Sequence, residues 1–205
     1  TTGTKIMNMA MDERYLNVHG EILYNNSAVV DDWYLSLMGG AYISDGTITL
    51  SGDFEIEAVF KTSQTASDYA IFDSATFNSA VVPAGSAFMY VDNPDGLELI
   101  VGDGAGGFAR EIFGGQLLIS NDIKNIVTLK RIGNQLTATL NGSPLGIAQT
   151  MTTNDIYFDD GLLFGGSGRE MTGDVFSVEL WDNGNRTTGT KVLDYKFDSL
   201  SNVIV

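Results

Sequence analysis

The sequence predicts an all-β fold, a sandwich or barrel of short antiparallel strands. Three observations carry this. Apolar and polar residues alternate with period two in short runs, and Gly, Asn and Asp punctuate those runs roughly every 8–12 residues. No long stretch keeps helical periodicity. The 205 residues are 43% hydrophobic and 10% aromatic, enough for a substantial core.

Each strand has its own warrant. Residues 53–61 (DFEIEAVFK) turn Phe54, Ile56, Ala58 and Phe60 one way and Glu55, Glu57 and Val59 the other. Residues 125–145 read as a three-stranded meander. Gly133-Asn134 separates TLKRI from QLTATL, and Asn141-Gly142 supplies the dipeptide that tight hairpins favour. Leu136, Ala138 and Leu140 form its inward face. Residues 174–181 (DVFSVELW) place Phe176, Val178 and Leu180 together, and residues 192–197 (VLDYKF) do the same for Leu193, Tyr195 and Phe197. Further strands are predicted at 22–24, 34–37, 41–44, 47–50, 69–72, 87–91, 97–101, 108–112 and 162–164. Residues 6–16 mix alternation with scattered Met and Leu, and 117–123 are predicted to form at most one helical turn.

Three segments, in order, carry a family resemblance. Residues 34–45 (YLSLMGGAYISD) and 50–61 (LSGDFEIEAVFK) resemble the opening of a laminin G-like, concanavalin A-like domain: an apolar strand, a Gly turn, an aromatic strand, then sG-D-F-x-I-E-x-x-F. The meander resembles that family's v-T-l-x-R-x-G-N-x-L hairpin. Residues 163–182 (LFGGSGREMTGDVFSVELWD) resemble its late l-x-i-G-G-s strand pair. The resemblance spans residues 34–182. It implies a concanavalin A-like jelly-roll sandwich of two antiparallel sheets, and one domain over residues 1–205. Residues 1–19 are then an N-terminal arm, and 198–205 a C-terminal strand or tail. The family includes lectins, adhesion modules, polysaccharide-active enzymes and virion surface proteins, so the fold alone does not fix a function. The Asn/Thr/Gly-rich, Lys-poor texture also resembles tailed-phage tail and capsid-decoration proteins.

Composition excludes several chemistries. Cysteine is absent, so there is no thiol catalysis, disulfide or Cys metal site. His19 is the one histidine, placed in a loop-like NVHGE stretch, which leaves no His-rich zinc site. Eleven Lys+Arg against 26 Asp+Glu give a net charge of −15, which repels phosphates, so no nucleic-acid partner is expected. The same charge disfavours an anionic membrane surface, and no apolar run is long enough to insert. The first ten residues show no signal-peptide pattern, and the chain reads as a processed product or a fragment.

The candidate sites are few. A polysaccharide hydrolase on this fold needs paired carboxylates. Glu55 and Glu57 share a strand face, but the related glucanases' Glu-x-Asp-x-x-Glu pattern ends here in Phe60. The bland reading is a solvated charged face. Gly-rich residues 102–110 lack the G-K-[ST] ending of a phosphate loop and read as a hairpin loop. Laminin G-like domains often hold Ca²⁺ at a loop rim. The acids that would serve are Asp92, Asp95, Asp159 and Asp160, with Asp103 and Asp155 nearby; the bland reading is hydrated turn residues. Aromatics that could stack on sugars are Trp33, Tyr34, Tyr42, Tyr90, Tyr157 and Trp181. A ligand site is expected around Tyr90, Asp92, Asn93, Asp95 and Tyr157.

Together these predict a non-catalytic, surface-exposed binding or assembly module, extracellular or on a virion. Its leading use is structural, in capsid decoration or a tail fibre. The alternatives are a Ca²⁺-dependent carbohydrate-binding module and a glycoside hydrolase using Glu55 and Glu57. Its partners are proteins of an assembly or surface glycans, and homo-oligomers fit the apolar C-terminal SLSNVIV.

Overall fold

The structure is a computed structural model that describes residues 10–11, 14–15, 17–26, 33–44, 46–64, 68–73, 84–92, 96–102, 108–113, 123–151, 155–158, 162–164 and 169–196. Among them there is no helix. Most of the predicted arm, the tail and most of 117–123 lie outside the described residues.

The strands form in the predicted places, with informative exceptions. β1 (Ala10–Met11) and β2 (Arg14–Tyr15) make a small ribbon. β3 (Asn17–Asn26) pairs with β4 (Trp33–Ser44). His19 therefore lies in a strand opposite Tyr42, not in a loop. The two strands predicted at 34–37 and 41–44 are one, because β4 runs straight through Gly39-Gly40. β5 (Ile48–Ser51) pairs with β14 (Asp155–Phe158), a strand the alternation did not reveal.

β6 (Phe54–Thr62) is the spine of one half. It lies between β11 (Asn125–Ile132) and β16 (Gly173–Asp182). β12 (Gln135–Leu140) and β13 (Ser143–Thr150) extend that half, and β17 (Thr190–Lys196) pairs with the far end of β16. The other half is β7 (Tyr69–Asp73), β8 (Ala87–Asp92), β9 (Gly96–Gly102) and β10 (Phe108–Phe113). β15 (Leu162–Leu163) joins β7 to β4, so the halves are one continuous antiparallel path from β10 to β13 rather than two separate sheets. The path folds back until β10 lies within 8 Å of β13.

Both halves bury one face in a shared core. Ile56, Phe60, Leu129, Leu136 and Leu180 come from one side, and Tyr69, Phe72, Met89, Leu99 and Val101 from the other. Ring contacts tie them: Phe60 meets Tyr69 at 5.9 Å and Phe164 at 5.8 Å, edge to face. Each such fully buried side chain contributes roughly 1.5–3 kcal/mol before entropy is counted.

The meander follows its turn residues. Asn141 and Gly142 both take positive φ (51° and 77°), as a type I′ turn requires, and Asn141 Oδ1 accepts from Ile126 N at 2.8 Å. Gly173 answers a different need. A Cβ there would sit 2.1 Å from the Lys61 carbonyl oxygen, so only glycine lets β16 approach β6 at that register.

One register shift matters for the surface. Val175 opposes Phe60, yet Ser177 opposes Val59, so Phe176 is the extra residue of a β-bulge. The predicted inward trio of Phe176, Val178 and Leu180 is therefore corrected. Val175, Val178 and Leu180 are buried, and Phe176 is half-buried.

Candidate functional site

The outer face of β4, β16, β6 and β11 carries the chemistry. It splits into an aromatic end and an ionic end.

At the aromatic end, the bulge turns Phe176 outward beside Tyr34, with ring centroids 5.5 Å apart and planes tilted 55°. Both residues are half-buried. Lys124 Nζ lies 4.2 Å from the Phe176 centroid. Two residues along β4 from Tyr34, Ser36 Oγ donates to Asp174 Oδ1 at 2.9 Å, and Lys61 opposes Asp174 in the register. The result is an apolar surface fringed by a hydroxyl, a carboxylate and two ammonium groups. Such a surface suits a ligand with one apolar face and several hydroxyls.

At the ionic end, the register sets Glu57 directly opposite Glu179, an unfavourable pairing of like charges. Cations resolve it. Arg186 Nη2 lies 2.5 Å from Glu57 Oε1 and 3.7 Å from Glu179 Oε2. Lys191 and Lys196 reach Glu179 Oε1 at 2.6 and 2.8 Å. Glu55 receives Lys130 at 3.7 Å and the Arg186 backbone N–H at 3.3 Å. Trp181 is buried beneath this layer, with the Arg186 guanidinium 4.9 Å and Lys191 Nζ 5.2 Å from its ring. Burial pushes the Glu179 carboxyl up, but the hydrogen bonds from Lys191 and Lys196 outweigh it and hold it below the ordinary range.

Glu55 and Glu57 thus do share a face, as the alternation predicts. They share it with four cations and a third glutamate. A hydrolase pair needs two carboxylates free to reach a substrate; here both are engaged, Glu57 by Arg186 and Glu55 by Lys130 and the Arg186 backbone N–H.

Of the remaining residues of the predicted ligand and metal sites, those described lie on β8 and β14. Tyr90, on the non-core side of β8, is buried, and its hydroxyl donates to the Glu98 carboxylate on β9. The Arg169 guanidinium lies 5.6 Å from the Tyr90 ring. Tyr157 sits on β14, its backbone N–H donating to Gly85 O at 2.9 Å and its ring beside Gly85, ahead of β8. Asp92 ends β8 opposite Gly96. Asn93, Asp95, Asp159 and Asp160 lie outside the described residues, as does Asp103. Among the described residues no group of three or more carboxylate or imidazole side chains could hold a metal ion.

Phe176, Ser36, Asp174 and Lys124 were not among the predicted site residues. The adjacent apolar pair Val175-Phe176 was the available signal, because strict alternation cannot bury both.

No protein-family model matches the chain, and no curated protein matches it in sequence. Solved structures do match in fold. Domain 4 of AbnA, an extracellular GH43 arabinanase from Geobacillus stearothermophilus, in complex with arabinotriose, superposes with a TM-score of 0.58 at 12% identity, over 83% of this chain and 84% of that one. The enzymatically active domain of tailspike protein 2 from bacteriophage CBA120 gives 0.57 at 13% identity, over 96% of this chain and 34% of that one. A Bacteroides ovatus protein named for carbohydrate binding gives 0.53 at 14%, over 73% of this chain and 46% of that one. This chain therefore spans about a third of the tailspike fragment and under half of the Bacteroides protein. At these identities the likeness establishes the all-β sandwich fold.

Proposed function

We propose that this chain is a non-catalytic glycan-binding module that works on an exterior surface and presents the Tyr34–Phe176 pair to a sugar ring. The observation that carries the reading is the bulge at Phe176. It moves an aromatic ring from the core to the outer face, beside a second ring and a polar fringe. Sugar rings offer C–H faces to aromatics and hydroxyls to Ser36, Asp174 and Lys61. The arabinotriose-bound neighbour and the neighbour named for carbohydrate binding share the fold, which lends the reading weight. The cation-neutralised Glu55 and Glu57 argue against hydrolysis.

The test is a glycan array read beside a reducing-sugar assay on every glycan bound. The expected result is binding without cleavage. Cleavage that disappears in Glu57→Gln would replace the reading with a hydrolase.

A second reading has its own support. The match to the phage tailspike fragment extends over 96% of this chain, which favours a structural part of a virion that also touches surface glycans. Calcium dependence is a separate proposal, since Asp95, Asp159 and Asp160 lie outside the described residues; a melting temperature that falls in EDTA would support it and an unchanged one would remove it.

A further inference from the structure

Charge is missing from one hairpin of the molecule. The chain carries 11 Lys+Arg and 26 Asp+Glu, yet residues 133–154 contain none of them and no histidine. This run is the β12–β13 hairpin and its two flanks. β13 ends the hydrogen-bonded path: β10 comes within 8 Å of it, but no strand pairs with it on that side among the described residues. It is almost wholly exposed, and Ile147 stands 78% exposed where the register against β12 shifts between Leu136 and Ala138. The other strongly exposed large hydrophobics of the described residues, Ile123, Ile126 and Ile132, lie on the same meander or just before it. Edge strands are ordinarily guarded by charge, and an apolar, charge-depleted patch is the composition of an interface core.

We infer that this hairpin is a self-association surface, and that its occupant is the same hairpin of a second copy. The charge balance disfavours a charged partner. Two chains of −15 repel each other least where neither carries charge, and this edge is where both are neutral. A basic partner would be drawn to the acidic faces instead, and an acidic one is repelled. The exposed Gln135, Thr137 and Thr150 each carry donor and acceptor atoms, so a two-fold can pair them with their own copies around Ile147.

Sedimentation of the full chain across a concentration and salt series tests this. The expected result is reversible association that strengthens with salt, as screening removes the net repulsion. Ile147→Glu should weaken it about tenfold or more. Ser63→Glu, an added acid at an exposed site off the meander, should leave it nearly unchanged. Circular dichroism checks that both variants are folded. A monomer at all concentrations and salts overturns the inference, and so does association that Ile147→Glu and Ser63→Glu weaken equally. Association of the wild type only with a different protein overturns it as well.

Discussion

Arg186 Nη2 lies 2.5 Å from Glu57 Oε1, and the same guanidinium covers the indole of Trp181 at 4.9 Å. One side chain from the β16–β17 turn therefore joins that turn to β6, separates Glu57 from Glu179 and covers the Trp181 indole.

Removing it exposes the repulsion it resolves. The Arg186 side chain is 47% exposed, so the pair itself contributes at most about 1 kcal/mol. Arg186→Ala should cost about that much in denaturant unfolding. The cost should shrink when Glu57→Gln is already present, and a double-mutant cycle measures the difference.

Glu179 sets an acid limit on stability. Its carboxyl is held below the ordinary range by Lys191 and Lys196 against the opposing effect of burial. A depressed folded-state value stabilises above the unfolded carboxyl's pKa of about 4.3 and is lost as pH falls through the folded value. Wild type should therefore lose stability below about pH 4 more steeply than Glu179→Gln. Thermal melts at stepped pH check this.

Tyr69 sets the alkaline counterpart. Its hydroxyl is fully buried without a hydrogen-bond partner among the described residues, and burial pushes its ionisation well above the ordinary tyrosine range. A raised folded-state value stabilises below the unfolded pKa of about 10 and is lost as pH rises beyond it. Tyr69→Phe removes an unsatisfied polar atom. It should be neutral or stabilising by up to about 1 kcal/mol at pH 7, and more so above about pH 10.

Gly173 has no room for a side chain. Gly173→Ala places a carbon 2.1 Å from the Lys61 carbonyl and should cost more than about 2 kcal/mol, or shift the β16–β6 register that presents Phe176. Denaturant unfolding measures the first effect and loss of glycan binding the second.

Much of this was legible in the residues themselves. Alternation at Phe54 to Phe60 named the core face of β6 correctly, and Asn141-Gly142 fixed the hairpin, because local backbone chemistry decides both. The continuity of β4 through Gly39-Gly40 was not legible, since glycines mark turns and strand interiors alike. β14 was missed because DIYF is short and its pairing with β5 is distant in sequence. The site was least legible. Which of Val175 and Phe176 faces the core depends on a bulge set by β6, and the cations around Glu55 and Glu57 arrive from β11, β17 and a turn.

Calorimetric titration of the best array glycan into wild type and Phe176→Ala tests the central claim most directly. The account predicts that the wild type binds and that Phe176→Ala, still folded, binds about tenfold or more weakly. Equal binding by the two proteins would contradict the Tyr34–Phe176 site, and no binding of any glycan by the wild type would contradict the glycan-binding reading itself.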